Sequence, residues 1–114
     1  MCNVKKAAVF FGTGYEEIEA LTVVDLLRRT DIEVTCVAID GQKQVMGAHH
    51  INVDMDAAIE GLDFDSFDIL VCPGGMPGTL NLKEHEGLRN LIGEFDKKKK
   101  YLAAICAAPS ILSE

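Results

Sequence analysis

Several ordinary features of functional sequences are missing from this chain, and each absence narrows its chemistry. Positive charge is scarce: 11 Lys and Arg face 18 Asp and Glu, a formal net charge of −7. Such a balance disfavours nucleic acid and anionic membrane surfaces as partners. No apolar stretch approaches the roughly 18 residues that a membrane helix needs. The first apolar run, Ala7 to Phe11, ends at Gly12-Thr13-Gly14. It is too short for the apolar region of a signal peptide, and no small-residue cleavage site follows, so a cytoplasmic setting is expected. The loops match neither Gly-x-Gly-x-x-Gly nor the Gly-Lys-Ser/Thr phosphate loop, which argues against flavin, dinucleotide and nucleoside triphosphate. There is no Cys-x-x-Cys pair among Cys2, Cys36, Cys72 and Cys106, and His49, His50 and His85 do not recur at ligand spacing. Reduced thiols are expected, with no disulfide framework, no zinc site and no cofactor.

What remains is a chain of 114 residues, 48% hydrophobic, with no repeat, no low-complexity linker and no internal boundary. That is enough for one domain with a buried core. Ala7–Phe11, Glu33–Ile39, Asp68–Cys72 and Tyr101–Ile105 are apolar or β-branched runs, read as strands buried on both faces. A helix is expected from about Tyr15 to Arg29, with Ile18, Leu21, Val24 and Leu27 as its apolar line and Val23 and Leu26 widening it. Glu16, Glu17 and Glu19 in its first turn and Arg28 and Arg29 in its last suit the helix dipole. Gln44–Met46 and Ile51–Val53 read as a hairpin, and Asp56–Glu60 as one helical turn. A second helix is expected from about Glu84 to Lys98, with Leu88, Leu91, Ile92 and Phe95 on one face. The Lys97–Lys100 run at its end reads as a solvated terminus. Strands alternating with helices predict an α/β fold with a mostly parallel sheet and helices on both faces. In such sheets ligands bind beyond the carboxyl ends of the strands. Three turns reach that edge: Gly12–Glu19, Pro73–Gly78 and Cys106–Pro109.

The last of these carries the sharpest signal. Tyr101–Ile105 runs into Cys106-Ala107-Ala108-Pro109, and proline is favoured at the first position of a helix. The string reads as strand, tight turn, helix, with a thiol at the turn. The partial positive charge of a helix N-terminus favours thiolate over thiol. The plain alternative is a small buried core cysteine. Gly75, after the Pro73-Gly74 break, has no side chain to shield its N–H. With the N–H of Ala107 it could form a two-donor pocket for an oxyanion, although Pro-Gly-Gly is also ordinary loop punctuation. A glutamate facing Cys106 is compatible with a thiolate only if the carboxyl keeps its proton and donates it to sulfur. Against this stands the reading of all three glutamates as solvated residues that favour the dipole.

These stretches, in this order, resemble the ThiJ/PfpI superfamily, and within it the DJ-one branch of deglycases. The resemblance is carried by Gly14-Tyr15-Glu16-Glu17-Ile18-Glu19, Val23–Arg29, Val71-Cys72-Pro73-Gly74-Gly75 and Ala103–Pro109. It implies a flavodoxin-like α/β sandwich and a cofactor-independent site. Cys106 matches the nucleophile of the elbow, Glu19 the protonated glutamate on its sulfur, and Gly75 and Ala107 the oxyanion donors. It further implies a homodimer formed through the first helix and the hairpin. Two departures qualify this. Ala107 stands where the protease-like branch has histidine, which disfavours peptidase activity. The family also continues past residue 114 with a segment that supplies a histidine and a Gly-Pro-Gly stretch. The 1–114 domain is therefore expected to be incomplete at its C-terminus, with the remainder possible as a separate chain, and poorly folded if isolated. A sharp two-state melt of the isolated 114 residues would contradict that.

Two functions use the same sulfur. One is addition to small aldehydes or glycated substrates, in the manner of a glyoxalase or deglycase. The other is redox sensing or protection through cysteine oxidation. A thiamine-biosynthesis role finds no phosphate or thiazole site in the sequence.

Overall fold

The structure, a computed structural model, describes residues 5–39, 43–74, 82, 85–98 and 101–104. Its centre is β1 (Lys6–Phe11), where Ala7 through Phe11 are wholly buried. Alternate side chains of this strand enter two separate cores. Ala7, Val9 and Phe11 pack with Ala20 and Val24 of α1 (Glu17–Arg28). Ala8 and Phe10 pack with Leu88, Ile92 and Phe95 of α2 (Glu86–Lys97). One strand buried from both sides between two helices makes this an α/β sandwich of the flavodoxin type. Each large side chain buried in it contributes roughly 1.5–3 kcal/mol.

The remaining strands are β2 (Glu33–Ala38), β3 (Gln44–Met46), β4 (Asn52–Asp54), β5 (Ala57–Ala58), β6 (Ile69–Cys72) and β7 (Tyr101–Ala104). The main sheet has the order β5-β2-β1-β6-β7, and every pairing in it is parallel. The chain leaves β1 to one side for β2 and returns to its other side for β6. In folds of this kind ligands bind at such a switch point, which here is at the carboxyl ends of β1 and β6. β3 and β4 form the expected antiparallel hairpin apart from the sheet. Among the described residues, no helix is long and apolar enough to cross a membrane.

Two expectations are corrected. Ile18 and Leu26 are 74% and 56% exposed, whereas α1 buries Glu17, Ala20 and Val24. A line of three-residue steps slips about 60° per step around a helix of 3.6 residues per turn, so residues 18 and 24 cannot share a face. The helical turn expected at Asp56–Glu60 is instead the edge strand β5, followed by a 3-10 turn at Ile59–Gly61. Asp56 is the reason. Its N–H donates to the Cys36 carbonyl at 2.9 Å, and its carboxylate accepts from the Cys36 N–H at 2.8 Å and from Arg28 at 2.9 Å. The chain is thereby docked along β2, and Ala57 and Ala58 pair with Val37 and Ala38.

Candidate functional site

The parallel register sets three strand ends side by side. Val9 lies opposite Val71, and Cys72 opposite Ala104. The turn after β1 is tight: Gly14 adopts φ 90°, a left-handed conformation natural to glycine, and the Tyr15 N–H donates to the Gly12 carbonyl at 3.0 Å. Tyr15 is wholly buried and meets Phe11 edge to face at 4.7 Å. Burial, with Glu17 and Cys36 nearby, pushes its hydroxyl up to about 12, and that hydroxyl has no hydrogen-bond partner among the described residues.

Main-chain bonds tie this turn to its neighbours on both sides. The Glu16 N–H donates to the Gly74 carbonyl at 2.9 Å, joining the start of α1 to the loop that follows β6. The Gly14 N–H donates to the Met46 carbonyl and the Ala48 N–H to the Tyr15 carbonyl, both at 2.8 Å, which sews on the hairpin. Glu16 caps α1, its carboxylate accepting from the Ile18 N–H at 3.1 Å. Glu19, three residues on, is half-buried in the first turn of the helix. The first turn of α1 is thus held at the carboxyl edge of the sheet, bonded to the loop that leads from Gly74 toward Gly75. Cys106, Ala107 and Gly75 lie outside the described residues, as do Pro77–Gly78 and Ala108–Pro109 of the predicted turns.

The two described cysteines are of the inert kind. Cys36 and Cys72 are free and buried. Burial pushes the Cys36 thiol up to about 11, with Asp56 adding to the rise and Arg28 opposing it. Burial alone pushes Cys72 up to about 12. Neither is a nucleophile near neutral pH.

One group escaped the sequence reading. Glu17, counted there among possible solvated glutamates, is only 4% exposed. One carboxylate oxygen accepts the His49 N–H at 2.8 Å and the Ile51 N–H at 3.3 Å. The other lies 2.8 Å from His49 Nδ1. Burial pushes the Glu17 carboxyl up, but the His49 side chain and the main-chain donors outweigh it and hold the group down at about 2. His49 is raised in turn, chiefly by its hydrogen bond to Glu17 and then by the charges of Glu16 and Glu17. Gly47 makes room for this: a Cβ there would collide with the Glu17 carboxyl. Partners 32 residues apart leave no periodic trace in a sequence, and Gly47 between two strand signals reads only as a turn.

Among the described residues, Glu16, Glu17 and His49 bring possible metal-ligand atoms within 4.8 Å of one another. Glu16 already accepts the Ile18 N–H, and both oxygens of Glu17 are taken up by His49 and Ile51. The set is built as a hydrogen-bonded clasp between helix and hairpin.

Comparison with known proteins agrees with this fold. The profile of the DJ-1/PfpI family matches residues 5–114. The chain belongs to the DJ-1/PfpI family. It is 32% identical over 110 residues to Protein dj-1beta of Drosophila melanogaster, covering 96% of this chain and 59% of that one. The crystal structure of that DJ-1beta superposes with a TM-score of 0.93. The structure of oxidized Toxoplasma gondii DJ-1 is 29% identical with a TM-score of 0.91, covering 96% of this chain and 59% of that one. The chain therefore spans about three-fifths of the length of these DJ-1/PfpI relatives.

Proposed function

We propose that this DJ-1/PfpI protein acts on small reactive carbonyls through Cys106. The thiolate adds to an aldehyde carbon and the carbonyl oxygen becomes the hydroxyl of a hemithioacetal. The N–H groups of Gly75 and Ala107 steady the oxygen while it carries charge. With methylglyoxal, Glu19 moves a proton from the former aldehyde carbon to the neighbouring carbonyl carbon, leaving a thioester. Water then cleaves the thioester to lactate and free thiol, so the net reaction is methylglyoxal plus water to lactate. No outside oxidant or cofactor enters that balance.

The observation that carries this reading is the bond from the Glu16 N–H to the Gly74 carbonyl. It ties the helix turn bearing Glu19 to the loop that continues into Gly75, beside the strand that continues into Cys106. The test is lactate formation from methylglyoxal by wild type and by Cys106→Ser. Loss of turnover in the variant is expected, and undiminished lactate would end the proposal.

A second reading, oxidation of Cys106 as a sensing or protective reaction, is favoured by the oxidized state named for the Toxoplasma relative. A gain of two oxygens at Cys106 after mild peroxide would support it, and an unchanged mass would count against it.

The partner we infer is a second copy of the chain. Ile18 and Ile51 are 74% and 51% exposed, and both line one surface cleft with Leu21, Thr22, Glu17 and Asp25. Apolar side chains concentrated on α1 and the hairpin turn favour a protein contact there. We place the protein in the cytoplasm, in keeping with its chemistry on soluble carbonyls.

A further inference from the structure

We propose that His49 and Glu17 are positioning residues for the Cys106–Glu19 pair, forming a proton-responsive latch between the hairpin turn and the first turn of α1. The inference rests on the reading of Cys106 and Glu19 as the reacting pair.

Its basis is a chain of contacts. The hairpin turn reaches Glu17 with two main-chain N–H groups and the His49 ring. Glu17 is the first residue of α1, and Glu19 stands on the same turn. The preceding residue, Glu16, donates its N–H to Gly74. Tension or slack at the hairpin is therefore passed in one step to Glu19 and to the loop after β6.

The ring is the adjustable part. In the single chain its side chain is 65% exposed, while its partner carboxylate is enclosed. The charged groups facing His49 are both on α1: Glu17 at 2.8 Å and Glu16 at 3.8 Å. Its own turn adds His50, exposed and held at φ 64°. With His49 protonated, the bond to Glu17 is charge-assisted. When the proton leaves, a neutral Nδ1–H can still donate, more weakly, and the main-chain donors stay. The latch loosens without opening. Both acidic neighbours raise His49, so this change falls above its ordinary value of 6.5.

The experiment follows the His49 imidazole resonance and the rate of Cys106 alkylation against pH, in the same samples. Asparagine places an amide N–H where Nδ1 stands but does not titrate, so His49→Asn is the conservative variant. Wild type is expected to show the thiolate limb and, at the His49 midpoint, a further fall in reactivity per thiolate of about two- to fivefold, the range for losing a half-exposed charge pair. His49→Asn, a neutral donor at every pH, should show the lower reactivity per thiolate of the loosened latch throughout and lose the second inflection, and Glu17→Gln should bring the His49 midpoint back toward 6.5. A second inflection that persists in His49→Asn, or a His49 midpoint indifferent to Glu17→Gln, would overturn the latch. The His49 resonance reports on the latch whatever Cys106 does. A thiolate midpoint like that of a free thiol, with the His49 responses intact, would instead count against the Cys106–Glu19 reading.

Discussion

At the scale of single residues, the tightest packing joins a carboxylate to a glycine. Glu17 fills the place that any Cβ at position 47 would need. Gly47→Ala must displace the Glu17 carboxylate from its hydrogen bonds to the hairpin turn, and we expect it to destabilise the protein by about 1–3 kcal/mol in a denaturant melt. The titration of the pair sets two limits on stability. Glu17 lies below its ordinary 4.5, at about 2, so its contribution is complete above 4.5 and is lost as pH falls toward 2. His49 lies above its ordinary 6.5, so its contribution is complete below 6.5 and fades as pH rises through the raised value. Thermal midpoints measured from pH 2 to 9 should therefore be highest between about 4.5 and 6.5 as far as this pair is concerned. Glu17→Gln should flatten the acid side. Equal acid sensitivity in that variant would mean that other groups dominate.

At the scale of elements, the strands were readable because both faces of the sheet are covered, so that their sequences are apolar throughout. β1 and β6 need no partner information to be found. α2 was readable because Leu88, Ile92 and Phe95 recur at helical spacing and all are buried. Leu88→Ala removes a wholly buried side chain from the core between α2 and β1, and a loss of about 2–5 kcal/mol is expected in the same melt. α1 was readable as a helix but not by its face, because Ile18 and Leu26 look like core residues and are exposed. The short strand β5 was hidden for a different reason: it exists because Asp56 bonds to Cys36 and Arg28, a contact across 20 to 28 residues. Of the candidate site, the glycine turn that carries the chain from β1 into α1 was legible, and the clasp of Glu17 and His49 was not. Local pattern fixes which strands end at an edge, whereas distant polar pairs depend on how the finished fold brings their atoms together.

At the scale of the whole molecule, the exposed apolar residues of α1 and the hairpin bear on assembly. If a second copy covers them, Ile18→Glu should shift the protein to a smaller mass in light scattering at micromolar concentration while leaving its circular dichroism unchanged. An unchanged mass would place any self-association elsewhere. The parallel sheet, the crossing at β1 and the bond from Glu16 to Gly74 all converge on one edge. We propose that at this edge Cys106 is kept ionised with the help of Glu19. The most direct test of this is the rate of Cys106 alkylation against pH in wild type and Glu19→Ala. A wild-type midpoint well below the free-thiol value of about 8.5 is expected, moving up toward it when Glu19 is removed. A wild-type midpoint near 8.5, or one that Glu19→Ala leaves in place, would contradict it.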